Sequence, residues 1–264
     1  MLKTRVITAL ALLAIFLVTL FVLPEPSAAI VFGILAGLMA WEWAGLMRID
    51  AVGRFLFAGV ILASCYYAYE DPEFSYQKLW AASAVFWLAV APLWLWRGWR
   101  LASNDIAGYL TGWLLIVPTW AALVALQDGH PWRLFIVMGL VWIADISAYF
   151  AGRAWGRHKL APAISPGKTW EGVGGAVVGV GIYSVIVAQV AGISPLDKAG
   201  WLPMLLALTA VSVIGDLFES MIKRQAGVKD SSQLLPGHGG FLDRLDSQTS
   251  MLPLAALLIL GTTL

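Results

Sequence analysis

The sequence predicts an all-α polytopic membrane protein with about nine transmembrane helices, and three observations lead there. Of its 264 residues 60% are hydrophobic and 12% charged, with a mean hydropathy of +0.79, whereas a water-soluble domain carries about 25% charged residues. Apolar runs of roughly 20 residues recur along the chain, the length that crosses a hydrocarbon core about 30 Å thick. The runs are continuous, while barrel strands are short and alternate. Helices, whose backbones are satisfied internally, are therefore the structure that fits.

In chain order the spans read at about 6–23, 28–47, 52–69, 79–96, 108–126, 132–152, 172–192, 201–222 and 249–264. The first follows Lys3 and Arg5 and precedes Ser27-Ala28-Ala29, which resembles a cleavage site. Its apolar run is longer than a secretory h-region and a second span follows at once, so it reads as a retained helix. The second carries Glu42 between Trp41 and Trp43 near its cytoplasmic end; an acid there is expected to reach the interface, without a catalytic role. The third holds Cys65, the single cysteine, which excludes an internal disulfide and a Cys-based metal site. Trp87, Trp94, Trp96 and Trp99 mark the end of the fourth and fit an interfacial aromatic belt. The sixth contains Asp145 well inside it, at an insertion cost of about 2.5–3.5 kcal/mol unless it faces a polar cavity or a partner; Ser147 and Tyr149 are candidate hydrogen-bonding neighbours. The seventh opens on a glycine run in which Gly175 and Gly179 form a small-xxx-small packing face. The eighth ends Gly215-Asp216-Leu-Phe-Glu219-Ser220-Met-Ile-Lys223-Arg224, and the ninth is aliphatic.

Charge orients this bundle. Fourteen of the seventeen lysines and arginines fall on the side of the N-terminus, while Lys78, Arg133 and Lys198 fall on the other. By the positive-inside rule the N-terminus is cytoplasmic and the C-terminus outside. The two longest cytoplasmic connections, Arg153 to Glu171 and Lys223 to Gln248, hold the densest polar residues, so a soluble reactant is expected from the cytosol. Two parts follow: a Trp-rich scaffold over 1–105 and a catalytic membrane domain with polar loops over 106–264. No short-period repeat is evident. A transporter would need two gates around a midplane site, and one-sided polarity argues against it.

The first polar loop contains Ser165-Pro166-Gly167-Lys168-Thr169-Trp170-Glu171-Gly172. Gly167-Lys168-Thr169 looks like the end of a P-loop, but Pro162 stands where that motif needs glycine, and no strand is expected before it. The ingredients of anion binding remain: a lysine, hydroxyls, and the amides and dipole of a helix start. At the end of the eighth span Asp216, Ser220 and Lys223 fall at i, i+4 and i+7, on one stripe, with Glu219 beside it. Asp216 and Asp243 are expected to meet around Mg2+, which keeps waters and recruits phosphate oxygens as its other ligands. His238-Gly239-Gly240 is able to turn tightly and offer backbone amides to phosphate. Lys223, Arg224, Lys229 and Arg244 would neutralise phosphate charge. Together these residues describe a metal-assisted polyphosphate site.

The run Ser220-x2-Lys223-Arg224-x4-Lys229-Asp230-x5-Pro236-Gly237-His238-Gly239-Gly240-x2-Asp243-Arg244-x-Asp246 resembles the signature of the phosphatidate cytidylyltransferase (CDP-diacylglycerol synthase) family. Asp145-x2-Ala148-Tyr149 and Ser165-Pro166-x-Lys168-Thr169-x-Glu171-Gly172 are similar to that family too; Gly167 stands where relatives often carry another lysine. The resemblance is clear over roughly 140–250 and one of character only in the N-terminal spans. It implies a Mg2+-dependent nucleotidyltransferase, with one metal ion or two, that makes CDP-diacylglycerol and pyrophosphate from CTP and phosphatidate. It also implies a homodimer in a bacterial inner membrane, with membrane lipid and no nucleic acid as partners. Under it Lys223, Arg224, Lys229, Asp230 and Asp246 are catalytic, and Asp216 and Asp243 hold metal. Ser165, Lys168, Thr169, Ser220, His238, Gly239, Gly240 and Arg244 bind phosphate, and Asp145, Glu171 and Glu219 are further polar site residues. The Asp-x-x-Asp-Gly motif of enzymes that consume CDP-lipids is absent from the sequence.

Overall fold

A computed structural model describes residues 2–101, 106–190, 192 and 198–261. The helices are α1 (Leu2–Phe21), α2 (Glu25–Leu46), α3 (Ala51–Glu70), α4 (Tyr76–Val85), α5 (Ala91–Arg97), α6 (Ile106–Gln127), α7 (Pro131–Trp155), α8 (Trp170–Val190), α9 (Lys198–Gln225) and α10 (Leu242–Leu260). Phe86–Val90 forms a π-helical turn that joins α4 and α5 into one rod, Tyr76–Arg97. Pro92 follows at the start of α5; it has no N–H to give to the ladder, and a π-turn absorbs that loss. Eight segments among the described residues are long and apolar enough to cross a membrane, and the protein is an integral membrane protein.

The loop expected to be without strands contains a hairpin. Strands β1 (Lys159–Ala161) and β2 (Ser165–Thr169) pair antiparallel. Two short, largely exposed strands close a local antiparallel turn and lack the buried parallel strand that precedes a P-loop in a nucleotide-binding fold.

Helix α10 begins seven residues before the predicted span. Hydropathy marks the start of an apolar run, whereas the first turns of α10 are polar and yet buried among other helices: Asp243, Ser247, Gln248 and Thr249 are all nearly inaccessible. Asp243 and Thr249 meet hydrogen-bond partners within the protein instead of water, while the buried Gln248 amide has none among the described residues; hydropathy registers neither.

Three packing features position the site. Between α7 and α8 a Cβ at Gly172 would lie 2.9 Å from the Ala148 carbonyl oxygen, and one at Gly175 would lie 2.8 Å from that of Ser147. Only glycine lets the two backbones approach so closely. Between α9 and α10 a Cβ at Gly215 would come within 2.8 Å of the Asp246 carbonyl oxygen, which fixes Asp216 against the start of α10. The α4–α5 rod grips α9 through Phe218, whose fully buried ring meets Phe86, Trp87 and Trp94 edge-on at centroid distances of 5.5, 5.7 and 5.5 Å.

Candidate active site

A cavity of about 470 Å³ opens between α7, β2, α8 and α9. Asp145, Tyr149 and Arg153 stand on its α7 wall at i, i+4 and i+8, one helical stripe. Ser165, Lys168 and Thr169 come from β2 and Asp216 from α9, while Ala144, Ala148, Val173, Ala176 and Val213 make an apolar floor. Thr169 also caps α8, its Oγ1 accepting the Gly172 amide at 3.1 Å, and so ties β2 rigidly to the helix start. Lys168 Nζ is 2.5 Å from Asp216 Oδ2, and Ser220 Oγ donates to Asp216 Oδ1 at 3.1 Å. Both oxygens of Asp216 are therefore engaged. Asp145 lies within electrostatic reach of Asp216 and Lys168, and Asp246 within reach of Asp216, Lys168 and Lys223.

A second charged centre adjoins the first. Lys223 is buried between two carboxylates, 3.0 Å from Glu219 Oε1 and 2.7 Å from Asp243 Oδ1. Asp243 Oδ2 accepts from the Ser231 amide at 2.8 Å, the Ser231 hydroxyl at 2.9 Å and the Gly240 amide at 2.8 Å. The loop that supplies these donors turns at Leu235-Pro236-Gly237-His238, where the His238 amide donates to the Leu235 carbonyl at 2.8 Å and Gly237 has φ +78°. Proline second and a left-handed glycine third make this a type II turn. The glycine pair thus serves differently from expectation: the Gly240 amide holds Asp243, and the absence of a Gly239 side chain leaves room for that carboxylate, since a Cβ there would lie 2.7 Å from Asp243 Oδ2.

Glu42 overturns its sequence reading. It does not reach the interface: at 1% exposure it is buried under the loop that precedes α10. Its Oε1 accepts from the Ser232 hydroxyl at 2.6 Å and the Phe241 amide at 3.0 Å, and its Oε2 from the Leu242 amide at 2.7 Å. Ser231 Oγ stands 3.2 Å from Glu42 Oε2 and 2.9 Å from Asp243 Oδ2, so one hydroxyl hydrogen serves two carboxylates. A carboxylate from α2 caps the N-terminus of α10, where the helix dipole favours it.

The remaining predicted residues divide. Lys168, Thr169, Ser165, Asp145 and Asp216 share the cavity; Ser220, Glu219, Lys223, Asp243 and Asp246 join it through α9 and α10. Arg224 is exposed and donates to its own loop at the Val228 carbonyl, 3.0 Å away, and Lys229 and Asp230 are exposed on that loop. His238 is half-buried, and its Nδ1 has no hydrogen-bond partner among the described residues. Glu171 braces the hairpin from outside the cavity, 2.6 Å from His158 Nδ1. Arg244 lies about 160° around α10 from Asp246 at 100° per residue, on the wall of a different cavity. Ser147 faces Gly175 and Gly179 of α8 and not Asp145. Sequence reasoning missed three positions: Glu42, Ser231 and Arg153. The eight-residue spacing from Asp145 to Arg153 is the signal that would have found the last.

The donor set fits a hard divalent cation. Asp145 and Asp246 each lie within the field of Asp216, and Glu219 Oε2 is buried with no hydrogen-bond partner among the described residues. No three Asp, Glu, His or Cys side chains among the described residues form a ready cage. Mg2+ does not require such a cage, because it takes one or two carboxylates and completes its shell with water and phosphate oxygens.

A family model described as the cytidylyltransferase family matches residues 3–261. The phosphatidate cytidylyltransferase of Pseudomonas aeruginosa is 40% identical, over 98% of this chain and 97% of that one. The enzyme of the same name from Haemophilus influenzae is 37% identical over 96% of each chain. That of Thermotoga maritima is 32% identical over 96% of this chain and 94% of its own.

Proposed function

Because the chain belongs to the cytidylyltransferase family, we propose that CTP and phosphatidate react in the cavity between α7, β2 and α9. The protein is a nucleotidyltransferase that converts CTP and phosphatidate to CDP-diacylglycerol and pyrophosphate in phospholipid biosynthesis. The observation that supports the placement is the Lys168–Asp216 pair at 2.5 Å, set above an apolar floor. It offers a cation and an acid to phosphates at the polar end and leaves the other end to a lipid.

The lipid phosphate is an anionic nucleophile at neutral pH. One of its oxygens bonds to the α-phosphorus of CTP as the bond from that phosphorus to the β-phosphate oxygen breaks and pyrophosphate leaves. No covalent enzyme intermediate is needed, so positioning and charge neutralisation carry the rate. Two lysines assigned to phosphate now sit on the two aspartates assigned to metal, Lys168 on Asp216 and Lys223 on Asp243. Incoming phosphate oxygens take over these ammonium groups, and the freed Asp216 and Asp243 carboxylates would hold Mg2+. Bound Mg2+ would supply charge neutralisation and alignment of the phosphates. Ser165, Thr169 and Ser220 add hydroxyl donors, and Arg153 adds a cation at the cavity wall. Arg224 and Lys229 steer the triphosphate from the exposed loop, while Glu42 and Ser231 hold that loop in register with Asp243.

The reading extends to topology: α10 as a ninth span, the N-terminus and the cavity mouth cytoplasmic in a bacterial inner membrane, and a homodimeric assembly, as the resemblance implies. The segregation of fourteen cationic residues from three supports the orientation. Purified protein given labelled CTP and Mg2+ tests the function: pyrophosphate release should require phosphatidate, and release that ignores the lipid would refute it.

A further inference from the structure

A further cavity, of about 350 Å³, lies between α2, α3 and α6, away from the reacting groups. Ile30, Gly33 and Ile34 line it from α2, Leu62 and Tyr66 from α3, and Trp120 from α6. The buried Trp120 makes its back wall, with the indole N–H donating to the Ala29 carbonyl at 3.3 Å, while Ile30, Ile34, Leu62 and Tyr66 are exposed. The cavity therefore opens sideways from the bundle. A Cβ at Gly33 would meet only the Trp120 indole nitrogen within 4 Å, at 3.8 Å, so this glycine keeps space open and seats no other helix. Pro26 and Glu70 stand at one end and Ile34 and Leu62 at the other, about 12 Å away along each helix. From Pro26, α2 runs about 24 Å further to Glu42, beneath the loop that precedes α10. The Glu70 end thus faces the side of the membrane opposite that loop. There Tyr69 Oη donates to Glu25 Oε2 at 2.9 Å and ties α3 to α2. Glu70 is exposed and makes no ion pair among the described residues, and no lysine or arginine among them lines the cavity.

We infer that this cavity seats an acyl chain of a phospholipid whose headgroup carries an amine, with Glu70 accepting from the ammonium. It is a binding site for a lipid of the opposite leaflet, separate from the lipid that reacts. An apolar cavity that opens inside a bilayer fills with hydrocarbon, and a carboxylate at its water-facing end selects a cationic group. Tyr66 and Tyr69 also line the cavity, and aromatic faces attract an ammonium. An anionic headgroup would meet Glu70 with no cation to offset the repulsion. A second copy of the chain would have to bury that carboxylate unpaired, which is costly.

The test gives the purified full-length protein equimolar dioleoyl-phosphatidylethanolamine and dioleoyl-phosphatidylglycerol in detergent and counts bound lipids by native mass spectrometry. The wild type should retain the amine lipid in preference. Glu70→Gln should lower its occupancy about threefold, the scale of an ion pair at a water-facing rim, and leave phosphatidylglycerol unchanged. Gly33→Leu should remove the amine lipid by filling the cavity. Both variants should release pyrophosphate at the wild-type rate, since neither position lines the reaction cavity. Equal retention of the two lipids by the wild type, or an unchanged preference in Glu70→Gln, would overturn the inference. Amine-lipid binding that persists in Gly33→Leu would do the same. Ile30→Trp fills the same space should Gly33→Leu not fold, and is held to the same outcome. Loss of self-association in Gly33→Leu with lipid counts unchanged would assign the cavity to a second copy of the chain and equally overturn the lipid.

Discussion

Lys168 Nζ and Asp216 Oδ2 are 2.5 Å apart in the cavity between α7, β2, α8 and α9, joining the β-hairpin to α9. The ammonium occupies the position where a divalent cation would be attracted, and it is a group that phosphate oxygens would attract in turn. Replacing the lysine tests this exchange. Lys168→Ala should lower kcat/KM by about 10²-fold, as the loss of one preorganised charge donor does, with much of the loss in KM for CTP. Lys168→Arg should recover part of it. Initial rates across CTP concentrations would show this, and an alanine variant with unchanged KM and kcat would exclude Lys168 from phosphate binding.

Glu42 predicts a stability effect at a distance from the cavity. Glu42→Ala leaves the Ser232 hydroxyl and the Phe241 and Leu242 amides without an acceptor, and each buried unsatisfied group costs about 1–3 kcal/mol. Of the three donors only the Leu242 amide is fully buried, so the variant should lose about 1–3 kcal/mol, and its 226–241 loop should become cleavable by protease. Glu42→Gln, which keeps one acceptor oxygen, should lose less. Limited proteolysis in detergent would distinguish the three proteins; equal resistance would show that the capping contacts do not hold the loop.

Lys223 separates stability from catalysis. Removing it leaves Glu219 and Asp243 buried without their cation, a loss of about 3–5 kcal/mol. The triple variant Lys223→Met, Glu219→Gln, Asp243→Asn should regain most of that stability and remain inactive. Denaturation midpoints paired with turnover measure both quantities. A single Lys223→Met variant as stable as wild type would show that the three charges are uncoupled.

The α7–α8 seam supplies an internally controlled pair. A Cβ at Gly175 meets the Ser147 carbonyl at 2.8 Å, whereas one at Gly174 meets nothing within 4 Å. Gly175→Ala should destabilise by about 1–3 kcal/mol through overpacking and reduce activity by shifting Asp145. Gly174→Ala should be neutral or slightly stabilising. Thermal unfolding of the two variants decides the matter, and equal behaviour would mean that the seam is not close-packed.

How much of this was legible in the sequence depended on the kind of signal. Eight of the nine expected spans were legible because length and hydropathy are local properties, and α3, observed at Ala51–Glu70, was predicted at 52–69. The Asp216–Ser220 contact was legible because an i, i+4 relation needs only helix geometry. Glu42 was not, because its partners lie about 190 to 200 residues away and nothing local marks an acid as a cap for another helix. The polar start of α10 was hidden for a related reason: burial among helices replaces lipid contact, and hydropathy measures only the latter. The division of cations between Asp216, Asp243 and the separate cavity that Arg244 lines is likewise tertiary, since density along the chain says nothing about which side of a helix each one faces.

The most direct measurement is turnover by Asp216→Asn, an almost isosteric change that keeps the hydrogen bond to Ser220 within reach and removes the charge opposite Lys168. Lipid-dependent pyrophosphate release should fall at least 10²-fold at saturating CTP and Mg2+, while the purified variant keeps the thermal stability of the wild type. Release at near wild-type rates by a folded Asp216→Asn protein would contradict the placement of the reaction in this cavity.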